Sequence, residues 1–264
     1  MTNDKNLFLK TELEKLRTMY ASDVKQRTFN LLLLGESGTG KTFLARTCPG
    51  PVFIDSFDPG GTKGLIKEIN SGKIYVDTRW ESEDPKKPSA FRAWEAEFTN
   101  RCKNNFFAGI GTYILDSCTT WSDAIMNSIL QKAGIPGEAP RFTKDYGPQK
   151  IIIRNMLQRM LDLPCNFILT GHVDAQKDEV TGKIQKRFLT TGKGVVTIPL
   201  LFDEIYVTTT KETSKGVTYQ LLTKRTNTYL AATRVGRDVF ETYEEPDIKK
   251  LLEKAGLPCE DKEV

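Results

Sequence analysis

The stretch Gly35-Glu36-Ser37-Gly38-Thr39-Gly40-Lys41-Thr42 decides how this chain is read. It satisfies the phosphate-binding pattern G-x-x-x-x-G-K-[ST] at every fixed position. The apolar run Phe29 to Leu34 before it predicts a buried strand, and Thr42-Phe43-Leu44-Ala45-Arg46 after it predicts the start of a helix. Strand, Gly-rich turn and helix is the order the chemistry needs. Glycines reach backbone conformations closed to other residues, so successive N–H groups can turn inward around a polyphosphate. A helix N-terminus adds partial positive charge at the same point. On this reading the backbone of Gly35, Glu36, Ser37, Gly38, Thr39 and Gly40 wraps the phosphates of ATP. Lys41, on a solvent-facing loop, reaches the β- and γ-phosphates, and the Thr42 hydroxyl ligates Mg²⁺.

Working outward, strands alternate with helices. The runs Pro51–Ile54, Lys73–Asp77, Thr112–Leu115 and Asn166–Thr170 predict core strands. Between them lie helical faces at Phe91, Trp94, Phe98 and Cys102, at Trp121, Ile125 and Ile129, and at Ile152, Met156 and Met160. Residues 81–88, 134–149 and 174–194 read as polar loops. Glu204–Thr210 and Val217–Thr223 read as paired strands, and Asp247 to Ala255 as a closing helix. The fold class that follows is α/β, a mostly parallel sheet covered by helices on both faces. Its expected organisation is a helical lead-in over 1–28 (Leu9, Leu13, Leu16 and Tyr20 at helical spacing), a core over 29–240, and a C-terminal helix and tail over 241–264.

Composition narrows the class. The chain has 264 residues, 39% hydrophobic and 27% charged, which suits one large globular domain. No apolar run is long enough for a membrane span, and the N-terminal stretch is too charged for a secretory signal. Five cysteines without C-x-x-C spacing fit reduced thiols in a cytoplasm rather than a disulfide framework or zinc site. The net charge of +4 permits nucleic-acid binding without requiring it.

Asp116 ends the strand Tyr113-Ile114-Leu115, where a second carboxylate for Mg²⁺ is expected. The residue after it is Ser117, not the Glu that would activate water in AAA+ enzymes, so the base must come from elsewhere. The segment Phe53-Ile54-Asp55-Ser56-Phe57-Asp58-Pro59-Gly60-Gly61 supplies it, with Asp58 the first candidate and Asp55 the next. This acid is expected beside the strand that carries the Gly-rich loop.

Taken together, the Gly-rich loop, Asp58, Leu115-Asp116-Ser117 and Thr170-Gly171-His172 resemble the RecA-like P-loop ATPases. Phe57-Asp58-Pro59-Gly60-Gly61 and Thr170-Gly171-His172 carry a narrower likeness to phage-encoded, Sak-type single-strand annealing proteins. Where RecA-type proteins place a Glu two residues after the strand-end Asp, this chain has Phe57. The resemblance implies that His172, the one histidine, senses the γ-phosphate. It also implies that the loops that follow bind single-stranded DNA through Arg141, Lys144, Lys183, Lys186, Arg187, Phe188 and Lys193, by phosphate contact and base stacking. It implies a ring or filament of identical subunits with ATP near the interface, Arg225 or Arg234 acting as an arginine finger, and a single-strand DNA-binding protein as a further partner. The function expected is ATP-driven DNA annealing or strand pairing in the host cytoplasm. The alternatives are a helicase-like or packaging motor and a nucleotide-switch partner of a replication assembly.

Overall fold

The computed structural model describes residues 2–23, 26–177, 184–190, 194–214 and 216–263. The sheet is built on β1 (Asn30–Gly35), every residue of which is buried. Leu32 and Leu34 face one side of the sheet, Leu31 and Leu33 the other, as a parallel strand covered on both faces requires. On one flank of β1 lie β5 (Asn166–Lys177), β4 (Thr112–Asp116), β2 (Val52–Ser56) and β3 (Ile74–Asp77), in that order. On the other lies β7 (Glu204–Thr213), and these six strands run parallel. Beyond β7 the sheet turns antiparallel with β8 (Gly216–Leu222) and ends on β10 (Tyr243–Glu244). A short β6 (Ile184–Phe188) pairs β5, and β9 (Ala232–Thr233) pairs β7.

The two faces are covered unequally. Three long helices, α3 (Ala90–Lys103), α4 (Cys118–Lys132) and α5 (Tyr146–Leu161), close one face over an aromatic core. In that core Trp94 stacks on Phe98 and meets Trp121 edge-on. The other face is covered by thinner pieces: a 3₁₀ turn at Thr42–Thr47, α2 (Ile66–Asn70) and α7 (Ile248–Ala255). Asp247 caps α7 by accepting from Lys250 N at 3.2 Å, and Ile248 N donates to Thr47 Oγ1 at 3.0 Å. The C-terminal segment is thus part of the core, with Ile248, Leu251 and Leu252 buried in it.

Four local expectations are corrected. The helix after the Gly-rich loop is only a six-residue 3₁₀ turn, because Pro49 and Pro51 cannot continue it and Cys48 is already extended. The first helix, α1 (Thr2–Ser22), stops before residue 28, and its Leu9, Leu13, Leu16 and Tyr20 stripe is exposed to solvent. α5 begins at Tyr146, inside the stretch read as loop. β5 continues past Thr170 to Lys177 and returns antiparallel as β6, so much of the polar stretch after it is a hairpin. A further helix, α6 (Gly194–Thr197), follows. All five cysteines are free thiols.

Candidate nucleotide-binding site

The Gly-rich loop leaves the C-terminal end of β1, between β5 and β7. A Cβ on Gly35 would lie 2.1 Å from Thr208 Oγ1, so this position admits only glycine. The same Thr208 hydroxyl meets Thr39 Oγ1 at 2.7 Å, which ties the loop to β7. Gly38 and Gly40 take φ values of +77° and +92°, the left-handed region that lets the loop curl. Lys41 is not solvent-facing as expected. It is 9% exposed, and its Nζ donates to the carbonyls of Gly35 at 3.0 Å and Glu36 at 2.8 Å. Burial lowers its pKa, against the opposing pull of Asp116, Asp58 and Glu36.

Thr42 Oγ1 donates to Asp116 Oδ2 at 2.9 Å, across the end of β5. Thr170, on β5, donates to the other carboxylate oxygen. Asp116 is buried, and burial raises its pKa although both threonine hydroxyls pull it down. A hydroxyl and a carboxylate side by side are hard oxygen donors, the set that suits Mg²⁺. Among the described residues no group of three or more His, Cys, Asp or Glu converges. Mg²⁺ here would therefore share its ligands with phosphate and water, as that ion usually does.

Asp58 is not beside β1 as expected, since β5 and β4 stand between β2 and β1. It reaches the site because the chain after β2 folds back over β4, where Phe57 N and Asp58 N both donate to Asp116 O, at 2.6 and 3.3 Å. Its Oδ1 accepts from Ser117 Oγ at 2.8 Å and Thr120 Oγ1 at 2.5 Å, and its Oδ2 faces His172 Nε2 at 3.7 Å. Burial alone would raise its pKa, but the His172, Thr120 and Ser117 groups outweigh it and hold the carboxyl below the usual range. His172 Nδ1 lies 3.5 Å from Lys41 Nζ, so the ring bridges the lysine and Asp58. Asp55, the other candidate base, is fully buried. It accepts from Trp80, Trp94, Tyr113 and Arg101 at 2.8–3.1 Å and has no access to the cleft.

The expected DNA-contact residues divide. Phe188 is core, not a stacking platform: it packs on Gly171, where a Cβ would lie 2.5 Å from its ring. Lys186 pairs with Glu36 of the Gly-rich loop at 2.5 Å and lies over the Tyr229 ring. Arg141 is bonded to buried Asp145, the residue before α5, at 2.8 Å. Arg187 and Lys144 are exposed, Arg187 directly opposite Asp174 in the hairpin. Lys183 and Lys193 lie outside the described residues. Arg234 pairs with Asp203 at 2.9 Å, by the N-terminal end of β7 and so at the opposite end of the sheet from the Gly-rich loop. Arg225 is exposed.

The Gly-rich loop, Asp58, Asp116 and His172 together line a cleft of about 490 Å³. Further linings not anticipated from the sequence include Phe43, Thr208, Tyr219 and Pro246. Tyr219 is 51% exposed, and its ring passes 3.4 Å from where a Cβ on Gly40 would sit. It comes from β8, far from the loop in sequence, and nothing marks it there except an aromatic at an exposed strand position.

These features define a P-loop ATPase on a mostly parallel α/β sheet, with the Gly-rich loop at the end of a central strand. The chain belongs to the AAA domain family AAA_24, which matches residues 27–235. No curated protein matches the sequence. Similar solved structures include the KaiC-like protein of Pyrococcus horikoshii OT3, 17% identical over 78% of this chain and 83% of that one, with a TM-score of 0.40. They also include the flagellar accessory protein FlaH of Methanocaldococcus jannaschii, 14% identical over 81% and 83% with a TM-score of 0.40. The type III secretion ATPase EscN of enteropathogenic E. coli is 14% identical over 79% of this chain and 47% of its own, with a TM-score of 0.48. Among the described residues no helix is long and apolar enough to cross a membrane.

Proposed function

We propose that the chain binds Mg·ATP in this cleft, hydrolyses it with Asp58 orienting the attacking water, and passes the nucleotide state to single-stranded DNA. The observation that carries the nucleotide reading is the Thr42–Asp116 pair, 2.9 Å apart at the foot of the Gly-rich loop, with Asp58 facing the same cleft. Thr42 and Asp116 would hold Mg²⁺, which supplies neutralisation of the β- and γ-phosphate charge. Lys41 exchanges its loop carbonyls for phosphate oxygens. Asp58, ionised and held by two hydroxyls through Oδ1, keeps Oδ2 for a proton. The exposed Tyr219 ring offers a face to the base. Tyr219→Ala is expected to weaken ATP affinity by roughly 10- to 100-fold, the range that about 1–3 kcal/mol of base stacking allows, with little effect on triphosphate alone. Competition of ATP and inorganic triphosphate for the site measures it, and equal losses for both would remove Tyr219 from this role.

The finer reading, action on DNA in the manner of phage single-strand annealing proteins, is supported by the sequence resemblance and by the β5–β6 hairpin. His172 opens that hairpin on β5, and Lys186 ties β6 to Glu36. Arg187, Lys177, Lys144 and the 87% exposed Phe142 remain to meet a strand. In an assembly of identical subunits Arg225 is the candidate finger. A nucleotide switch acting on a protein is the second reading. It is favoured by the engagement of Lys186 and Arg141 within the chain and the burial of Phe188. The ATPase rate with and without single-stranded DNA separates them. Stimulation that fades with salt supports the first, because phosphate contacts act through counterion release. A flat response supports the second.

A further inference from the structure

Asp58 sits in a turn with a keeper on its far side. The turn leaves β2 at Ser56, carries Asp58, and closes at Gly60, whose φ is +70°. Gly61 N donates to Asp58 O at 3.0 Å, and a Cβ on Gly61 would lie 3.9 Å from Asp116 Oδ2, so the turn passes over the carboxylate expected to hold the metal. Glu81, in the connection between β3 and α3, grips this turn on both sides of Asp58. Its Oε1 accepts from Ser56 Oγ at 2.7 Å, and its Oε2 accepts from Gly60 N at 2.9 Å. Glu81 itself does not line the cleft and makes no hydrogen bond to Lys41, Thr42 or Asp116. In the sequence it is one acid of a charged, proline-punctuated loop.

We propose that Glu81 is a positioning residue for Asp58: its carboxylate clamps the 56–60 turn so that Asp58 Oδ2 points into the cleft. The proposal rests on the reading of Asp58 as the group that orients water. A clamp on this turn acts on turnover more than on nucleotide binding, because the phosphate and metal groups lie on other elements. A displacement of about 1 Å in a reacting group can cost as much as 10²-fold in rate.

The test is steady-state ATP turnover in a double-mutant cycle. Glu81→Ala is expected to lower kcat roughly 10- to 100-fold with KM for ATP changed by less than about twofold. Glu81→Gln should recover most of the loss. Its amide oxygen can accept from Gly60 N, and its NH₂ can donate to the Ser56 hydroxyl. In the Asp58→Asn background Glu81→Ala should cost less than about twofold more, since residues that act as one unit are not additive. Losses that multiply in the double mutant, or an unchanged kcat in Glu81→Ala, would overturn the proposal while leaving the role of Asp58 intact. Wild-type turnover in Asp58→Asn alone would remove the base and the keeper with it. Should Glu81→Ala fail to fold, Ser56→Ala deletes one of the two bonds with Glu81 in place, together with the longer 3.5 Å bond from Ser56 Oγ to Asp58 O. It must then show the same fall in kcat at constant KM, and a wild-type kcat there overturns the clamp.

Discussion

Asp58→Asn is expected to lower ATP turnover by about 10²-fold or more, the contribution typical of a positioned general base, while ATP binding stays close to wild type. The substitution is nearly isosteric. The asparagine oxygen can keep the bonds from Ser117 and Thr120 at the Oδ1 position, so the turn and the start of α4 hold together. What changes is the Oδ2 position, now an NH₂ group that cannot take a proton and that faces His172 Nε2. Lys41, Thr42 and Asp116, which would hold the phosphates and metal, make no hydrogen bond to the Asp58 side chain. Single-turnover hydrolysis and equilibrium binding measured on one preparation separate the two effects. Loss of binding in step with turnover would mean that Asp58 holds the nucleotide rather than the water.

The second large effect concerns stability. Arg101→Ala is expected to destabilise the fold by about 3–5 kcal/mol, the usual consequence of leaving a buried charge without its partner. Arg101 lies 3.1 Å from Asp55 and 2.6 Å from Asp77, with 12% of its side chain exposed and none of Asp55's. Burial already pushes the Asp55 carboxyl up, and Arg101 is the strongest opposing influence. Without it Asp55 is ionised in the unfolded chain at a pH where the folded chain prefers it protonated. An acid whose folded pKa is raised favours the folded state at low pH and loses that advantage as pH rises. The penalty of Arg101→Ala should therefore be full at neutral pH and shrink in the acidic range. Urea unfolding at both pH values checks it, through a lower midpoint at constant slope. A penalty independent of pH would assign the loss to packing against Phe53 and Phe106, over whose rings the guanidinium lies.

The candidate cleft was legible in the sequence to the extent that its chemistry is written in fixed spacing. Gly35 to Thr42 cannot serve its purpose at any other spacing, and Asp116 is marked by the end of an apolar strand. Asp58 was legible only as an acid in a turn. That it reaches the cleft depends on the chain folding back over β4, which sequence pattern does not encode. Phe188 misled because Lys-Arg-Phe in a polar stretch looks like a solvated loop. Pairing with β5 turns its ring onto Gly171, and the glycine that makes room is silent in sequence. Lys186 and Arg141 misled for a related reason: a basic residue in a loop carries no sign that a carboxylate from another element, or one four residues on, will claim it. Tyr219, which lines the cleft from β8, and Glu81, which bonds the 56–60 turn from the connection after β3, were missed because each comes from a separate element of the chain.

The most direct test of the central claim is a calorimetric titration of ATP into the wild-type protein and Lys41→Ala, in the presence of Mg²⁺. The account predicts that the wild type binds one ATP per chain and that the variant, folded by its thermal transition, binds none under the same conditions. Equal affinity in the two proteins would contradict it, since the Gly-rich loop would then not be where the nucleotide sits.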